Sequence, residues 1–185
     1  MAGKLQKKER IVSRLNDVLI FLVVFNILAV PLYVALYTDF SIGAVQELNA
    51  KLLYGTLKAL GYQVETKDAM VYLISDGTPR FIEISWDSTG WKSMYAVAAL
   101  IIATPISVMS RKVRFIALGI LSMFVLNYFR ITTTVLISAV YGFQAFDLVH
   151  TILWREALIV SVVAFWVIWL AMEKYNIGKI QIKIR

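Results

Sequence analysis

The sequence predicts an α-helical polytopic membrane protein: four transmembrane helices, with a small extracytoplasmic amphipathic helix and β-hairpin between the first two. Three observations predict it. Of the 185 residues, 59% are hydrophobic and only 17% charged, with a mean hydropathy of +0.72; soluble domains carry about 25% charged residues. Several uncharged runs reach the length a helix needs to cross a bilayer, about 20 residues. Lysine and arginine gather in the short segments between and beyond those runs rather than on a separate domain. The net charge of +7 therefore follows the membrane and gives no reason to expect a nucleic-acid partner. There is no cysteine and a single histidine, His150, so disulfides, thiolate metal sites and a histidine-rich metal centre are excluded. No metal and no cofactor is expected. The whole chain, residues 1–185, reads as one membrane domain.

Residues 1–14 form a basic juxtamembrane tail with Lys4, Lys7, Lys8, Arg10 and Arg14 against Glu9. The first span is expected over about 17–38. Its uncharged part, Val18 to Thr38, is too long for a signal-peptide core and lacks a small-x-small cleavage site, so it reads as a retained anchor. Pro31 is expected to kink it, which a membrane helix tolerates.

Residues 39–87 are the only sizeable polar segment. Over 42–60, Val45, Leu48 and Leu52 recur at helical spacing beside Leu53, Leu57 and Leu60, while Gln46, Glu47, Asn49 and Lys51 take the other side. This is the pattern of an amphipathic helix lying on the membrane or on the other spans, with Gly61 as its terminator. The period then changes. Residues 69–86 read as a β-hairpin, AMVYLIS and TPRFIEISW around Asp76-Gly77. The second strand, with Ile82, Ile84 and Trp86 alternating against Phe81, Glu83 and Ser85, leads straight into residues 86–93, WDSTGWKS.

The second span is expected over about 91–110, followed by a basic turn of Arg111, Lys112 and Arg114. The third is expected over about 115–138, interrupted by Arg130. A polar loop, Tyr141–Val149, leads to His150 and the last span, about 151–172. Twelve of the 19 basic residues lie in the N-terminal tail, the 111–114 turn and the C-terminal tail. Segment 39–92 carries five basic residues against seven acidic ones. By the positive-inside rule both termini are cytoplasmic and the hairpin lies outside. That topology brings Ser88, Arg130, His150 and Arg155 to the outer face.

Ser88 follows Asp87 and precedes Thr89, all good capping types, so it is expected at a helix N-terminus where the dipole favours negative charge. Capping alone would also account for it. Gly90 leaves room for a substrate backbone. Arg130 has 15 uncharged residues before it and 16 after it. In lipid it would cost about 2.5–3.5 kcal/mol on insertion scales, so it must face a bundle interior or a wet cleft unless it snorkels to the headgroups. Asn127, one turn earlier, can orient it. His150 is the side chain whose usual pKa suits proton transfer near neutrality. Arg155 and Glu156 add charge one turn further on.

Three blocks in this order resemble the exosortases and archaeosortases, prokaryotic membrane transpeptidases that process C-terminal sorting signals. Ser88-Thr89-Gly90 with Ser93 is similar to the family's Cys-x-Gly block. Asn127-Tyr128-Phe129-Arg130 resembles its Asn-x-x-Arg block, and His150, or less well Arg155, its block before the last helix. The resemblance spans residues 83 to the C-terminus. It implies a catalytic set of Ser88, Arg130 and His150, supported by Thr89, Gly90, Ser93, Asn127 and Arg155. It also implies a secreted substrate whose C-terminal tail carries a motif and a transmembrane helix, a membrane lipid as acceptor, and a prokaryotic cell membrane with the active site outward. The departure is serine where the family has cysteine. Either this is an engineered Cys→Ser change, which the intact remaining blocks favour, or a natural serine variant or inactive homologue. The rival class is a non-catalytic membrane assembly protein gripping a partner helix through Arg130. A transporter would need polar residues along both halves of the spans, and the inner halves of the second and third have almost none.

Overall fold

The computed structural model describes residues 2–75, 78–141 and 154–183. Helix α1 (Ala2–Tyr37) takes up the basic tail as its first turns and runs on through Pro31. It is peripheral: none of the residues in its most apolar 18-residue window is buried. It rests on the bundle where the Tyr95 hydroxyl donates to the Leu28 carbonyl at 2.5 Å and Phe21 stacks on Trp166 at 5.8 Å. So large an exposed apolar surface requires lipid around it.

Helix α2 (Gly43–Ala59) ends as Gly61 predicted. Gly61 adopts φ +86°, its N–H bonds to Lys58 O and that of Tyr62 to Leu57 O, the paired bonds of a Schellman stop. The buried face differs from expectation. Ala50, Leu53 and Leu57 are buried together with Asn49, whereas Leu48, Leu52 and Leu60 are exposed. The helix has apolar residues on two sides, and the sheet, not the membrane, selects which is covered.

That sheet is also larger than the expected hairpin. Three antiparallel strands, β1 (Gln63–Lys67), β2 (Met70–Ser75) and β3 (Thr78–Glu83), lie in the order β1-β2-β3. Lys67 pairs with Met70 across a two-residue turn in which Asp68 takes φ +54°. Ser75 pairs with Thr78, while the Asp76-Gly77 turn lies outside the described residues. Val71, Leu73 and Ile84 face inward, and Tyr72 meets its cross-strand partner Phe81 edge-on at 5.5 Å on the other face. Strand β3 stops at Glu83 rather than continuing to Trp86.

Helix α3 (Trp91–Ala103) is shorter than the expected second span. Its 13 residues rise about 20 Å, short of the ~30 Å hydrocarbon core. Pro105 is the reason: proline cannot continue a helix and forces the residue before it out of the α region, and Thr104 is extended at ψ 117°. The connection to the next helix therefore lies at 104–108. The basic cluster expected as a turn is instead the opening of α4 (Met109–Tyr141), where Lys112 Nζ donates to Ile102 O at 2.8 Å and ties off the end of α3. Helix α5 (Trp154–Lys183) completes the chain. Among the described residues, α1, α4 and α5 are long and apolar enough to cross a membrane, and α3 is a shorter apolar helix beside them.

Two cores result. One joins α2, the sheet and the last part of α4 through Leu53, Leu57, Val71, Leu73, Ile131 and Val135. The other joins α3, α4 and α5 through Val97, Ile101, Met123, Val162 and Trp169. A Cβ on Gly119 would stand 3.1 Å from Phe165 and 3.2 Å from Val97, so this glycine sets how closely the three helices approach. At the far end of α4, Arg111 pairs with the buried Glu173 of α5 at 3.7 Å.

Replacing Leu57 with Ala should cost about 2–5 kcal/mol, the range for emptying a packed aliphatic site. Leu48→Ala, on the exposed side of the same helix, should stay within about 0.5 kcal/mol. Thermal unfolding in detergent micelles checks both; similar losses for the two would mean that the sheet does not cover α2 as described.

Candidate active site

The segment between β3 and α3 is held by side chains from three elements. Ile84 N–H donates back to Ala69 O at 2.9 Å, and Gln46 of α2 donates its Nε2 to Ile84 O at 3.0 Å. A 3₁₀ turn, Trp86–Thr89, follows. Its cap is Ser85: the Ser88 N–H reaches both the Ser85 carbonyl at 3.0 Å and its Oγ at 3.3 Å. The buried Thr89 donates its hydroxyl to Trp86 O at 2.7 Å. Gly90 then takes φ +77° and caps α3, its carbonyl accepting from the N–H groups of Ser93 and Met94.

This corrects the reading of Ser88 as a helix-terminal residue. It sits inside the 3₁₀ turn, three residues before α3, and the capping is done by Ser85. The Ser88 side chain is half-exposed, and its Oγ lies 2.8 Å from Ser85 Oγ. A serine directly ahead of a polar turn is a capping signal, and that is the available clue to Ser85.

The turn is locked onto α4 by Asn127. Its side chain is fully buried, and Nδ2 donates to the Ser88 carbonyl at 2.8 Å. Gly90 presses on the same amide: a Cβ there would stand 2.6 Å from Asn127 Cγ and 2.8 Å from its Cβ. One turn further along α4, Arg130 is half-buried and lines a cavity of about 50 Å³ together with Ser88, Glu83, Ile84, Ile131 and Thr134. Among the described residues no hydrogen bond or ion pair engages its guanidinium. Glu83 is a cavity residue that the sequence reading passed over, because it reads as the solvent face of a strand. The exposed pair Asp87–Lys92, at 2.9 Å, flanks the turn and contributes little to stability.

Five of the sequence-predicted residues therefore meet at one place: Ser88, Thr89, Gly90, Asn127 and Arg130, with Ser93 bonded to Gly90 through its backbone. His150 lies outside the described residues. So does the side chain of Arg155, although its backbone belongs to α5. No metal-binding cluster occurs among the described residues.

The sequence model of the family described as Transmembrane exosortase (Exosortase_EpsH) matches residues 13–170. The chain belongs to the transmembrane exosortase family. No curated protein and no solved structure matches it. Membership carries a membrane exosortase-type function at the level of the family. In this exosortase the matched region takes in most of α1, α2, the sheet, the 3₁₀ turn, α3, α4 and more than half of α5, so the whole Ser88–Arg130 cavity falls within it.

The fit of Gly90 against Asn127 makes a strong prediction. Gly90→Ala adds both a left-handed backbone penalty, about 1–2 kcal/mol, and an overlap with a buried side chain. It should lower the thermal unfolding midpoint in detergent more than Gly55→Ala, whose Cβ would meet nothing within 4 Å. Asn127→Ala should cost about 1–3 kcal/mol by leaving the Ser88 carbonyl unpaired.

Proposed function

We propose that this exosortase is a membrane-embedded transpeptidase that cleaves C-terminal sorting signals of secreted proteins and passes them to a lipid acceptor. Residue 88 is the nucleophile position, and cysteine-type chemistry is carried here by a serine. The observation that supports it best is the shared cavity: the Oγ-bearing turn and an unengaged arginine on a neighbouring helix face one small space. In the proposed reaction, residue 88 attacks the scissile carbonyl. The developing oxyanion is held by Arg130, a donor aimed at charge that appears only in the transition state. His150 takes the nucleophile's proton and returns it to the leaving amine. The acyl group then passes to an amine-bearing acceptor; water in its place would make the enzyme a protease. Serine is a much weaker nucleophile than a thiolate and depends on that base, so the Ser88 form is expected to turn over slowly or not at all.

The same reading sets the topology: four membrane-inserted helices, with α3 as the shortest, both termini cytoplasmic and the Ser88 cavity facing outward in a prokaryotic cell membrane.

Two experiments test this. In the first, Ser88→Cys is combined with a tagged tail bearing a motif, a transmembrane helix and a basic end. Processing should appear and be blocked by thiol alkylation. Arg130→Ala in that background should lower the rate by about 10²–10³-fold, and Arg130→Lys should restore little, because a point charge lacks the planar fork. Near-normal processing by Arg130→Ala would remove Arg130 from the mechanism. The second uses the absence of cysteine. Single substitutions Lys67→Cys and Lys8→Cys provide reporters in intact cells. A membrane-impermeant maleimide should label position 67 and not position 8; the opposite pattern inverts the topology.

A further inference from the structure

On the other side of the Ser88 turn lies a second cavity, of about 450 Å³, large enough for a small ligand. Its walls are Asp39, Phe40, Ser85, Trp86, Asp87 and Trp91, with the last turn of α1 beneath. Three aromatic rings are arranged there as a group. Trp86 and Trp91 stack with centroids 5.5 Å apart, and Phe40 meets Trp86 edge-on at 6.4 Å. Two carboxylates share the space. Asp39 is brought over it by the stop of α1: Phe40 N–H bonds back to Ala35 O at 3.0 Å, and Asp39 takes φ +48°. Asp87 already holds one ammonium group, that of Lys92, at 2.9 Å.

We propose that this cavity binds the ammonium of a membrane-lipid headgroup. Aromatic faces beside carboxylates are the chemistry of ammonium recognition: the ring quadrupole attracts the cation and the carboxylates accept its N–H bonds. The location selects a lipid. The pocket opens where the lipid-facing helix α1 ends, and tryptophan rings belong at the headgroup level. The Asp87–Lys92 pair shows that a primary ammonium fits against that carboxylate, and a headgroup amine would compete with Lys92 for it. Ser85 joins this cavity to the first one, since its Oγ is bonded to that of Ser88. The inference rests on the proposed transpeptidase reading for its purpose, because it gives the acceptor amine a place one residue pair from the acyl group. Transfer from there first passes one ammonium proton to a carboxylate of the cavity; the free amine then forms the amide C–N bond as the ester to residue 88 breaks, and the oxygen of residue 88 takes the amine's second proton.

The test reads binding alone, without any sorting tail. The full chain in nanodiscs made from equal parts of ethanolamine- and glycerol-headgroup phospholipids is transferred to detergent, and retained lipids are counted by native mass spectrometry. The ethanolamine lipid should be retained about tenfold over the glycerol lipid, the ratio that one good cation–π and carboxylate contact supports. Asp39→Asn with Asp87→Asn should reduce the ratio to near one. Lys92→Gln, which frees Asp87, should raise it and so guards against misfolding of the double variant. Lys51→Gln, on the opposite side of α2, should leave it unchanged. Equal retention by the unaltered chain, or a preference that survives the double substitution, overturns the proposal. If the preference holds while Ser88→Cys processes no tail, the transpeptidase reading fails and the pocket stands; processing without any headgroup preference has the opposite meaning.

Discussion

The bond from Asn127 Nδ2 to the Ser88 carbonyl is the constraint on which the site depends. Irregular backbone that is buried against protein must have its polar groups paired. The segment between β3 and α3 is such backbone, and it meets the requirement from both sides. Ser85 takes its N–H, Asn127 takes its carbonyl, and Gln46 takes the carbonyl of Ile84. Gly90 is required for the same reason, because any side chain there would displace the amide that does this work. The turn is thereby referenced to α4, the helix that also carries Arg130, so Ser88 and the cation share one frame.

The two cores explain why a cavity exists at that height. Met123 packs among the membrane helices, and Ile131 packs under the sheet. Asn127 and Arg130 lie between these two packing units, where α4 passes from one set of partners to the other. A cation within a long apolar helix needs water or polar neighbours, and the seam between the cores provides them without a cost to either. Two of the other charges of α4 are engaged at its opposite end, where Lys112 closes α3 and Arg111 pairs with Glu173. Short-range pairing thus fixes the bundle at one end, while at the other Arg130 has no hydrogen bond or ion pair from its guanidinium among the described residues.

Much of this was legible in the sequence because it is written in local chemistry. Gly61 stops α2 by a backbone requirement that only a few residues meet, and the charge isolation of Arg130 marks it whatever its neighbours do. The site blocks at Ser88–Gly90 and Asn127–Arg130 were visible as pairs of spacings, and they do meet. What failed to show was decided by tertiary context. Strand β1 is short and mostly polar, and its turn, Asp68-Ala69, lacks the glycine that announces a hairpin. The buried side of α2 could not be chosen from a helix with leucines on two faces, and Asn49 went to the wrong side for that reason. Hydropathy continues past Pro105 and makes the second span look longer than it is, whereas the helix obeys proline sterics. Its loss of length moved the basic residues from a turn into α4.

The manner in which the turn is anchored bears on serine at position 88. Every bond that fixes residue 88 in place uses its backbone: N–H to Ser85, C=O to Asn127. Its side chain makes one contact of note, hydroxyl to hydroxyl with Ser85, and supports nothing else in the fold. Exchange between serine and cysteine therefore leaves these backbone anchors in place and alters only the contact with Ser85 and the chemistry available to the site. A thiolate gains from an adjacent cation because its pKa lies within reach of such a field, whereas a serine hydroxyl starts far too high. Backbone anchoring and side-chain chemistry are separable at position 88, and that separation is what allows the same turn to carry a serine.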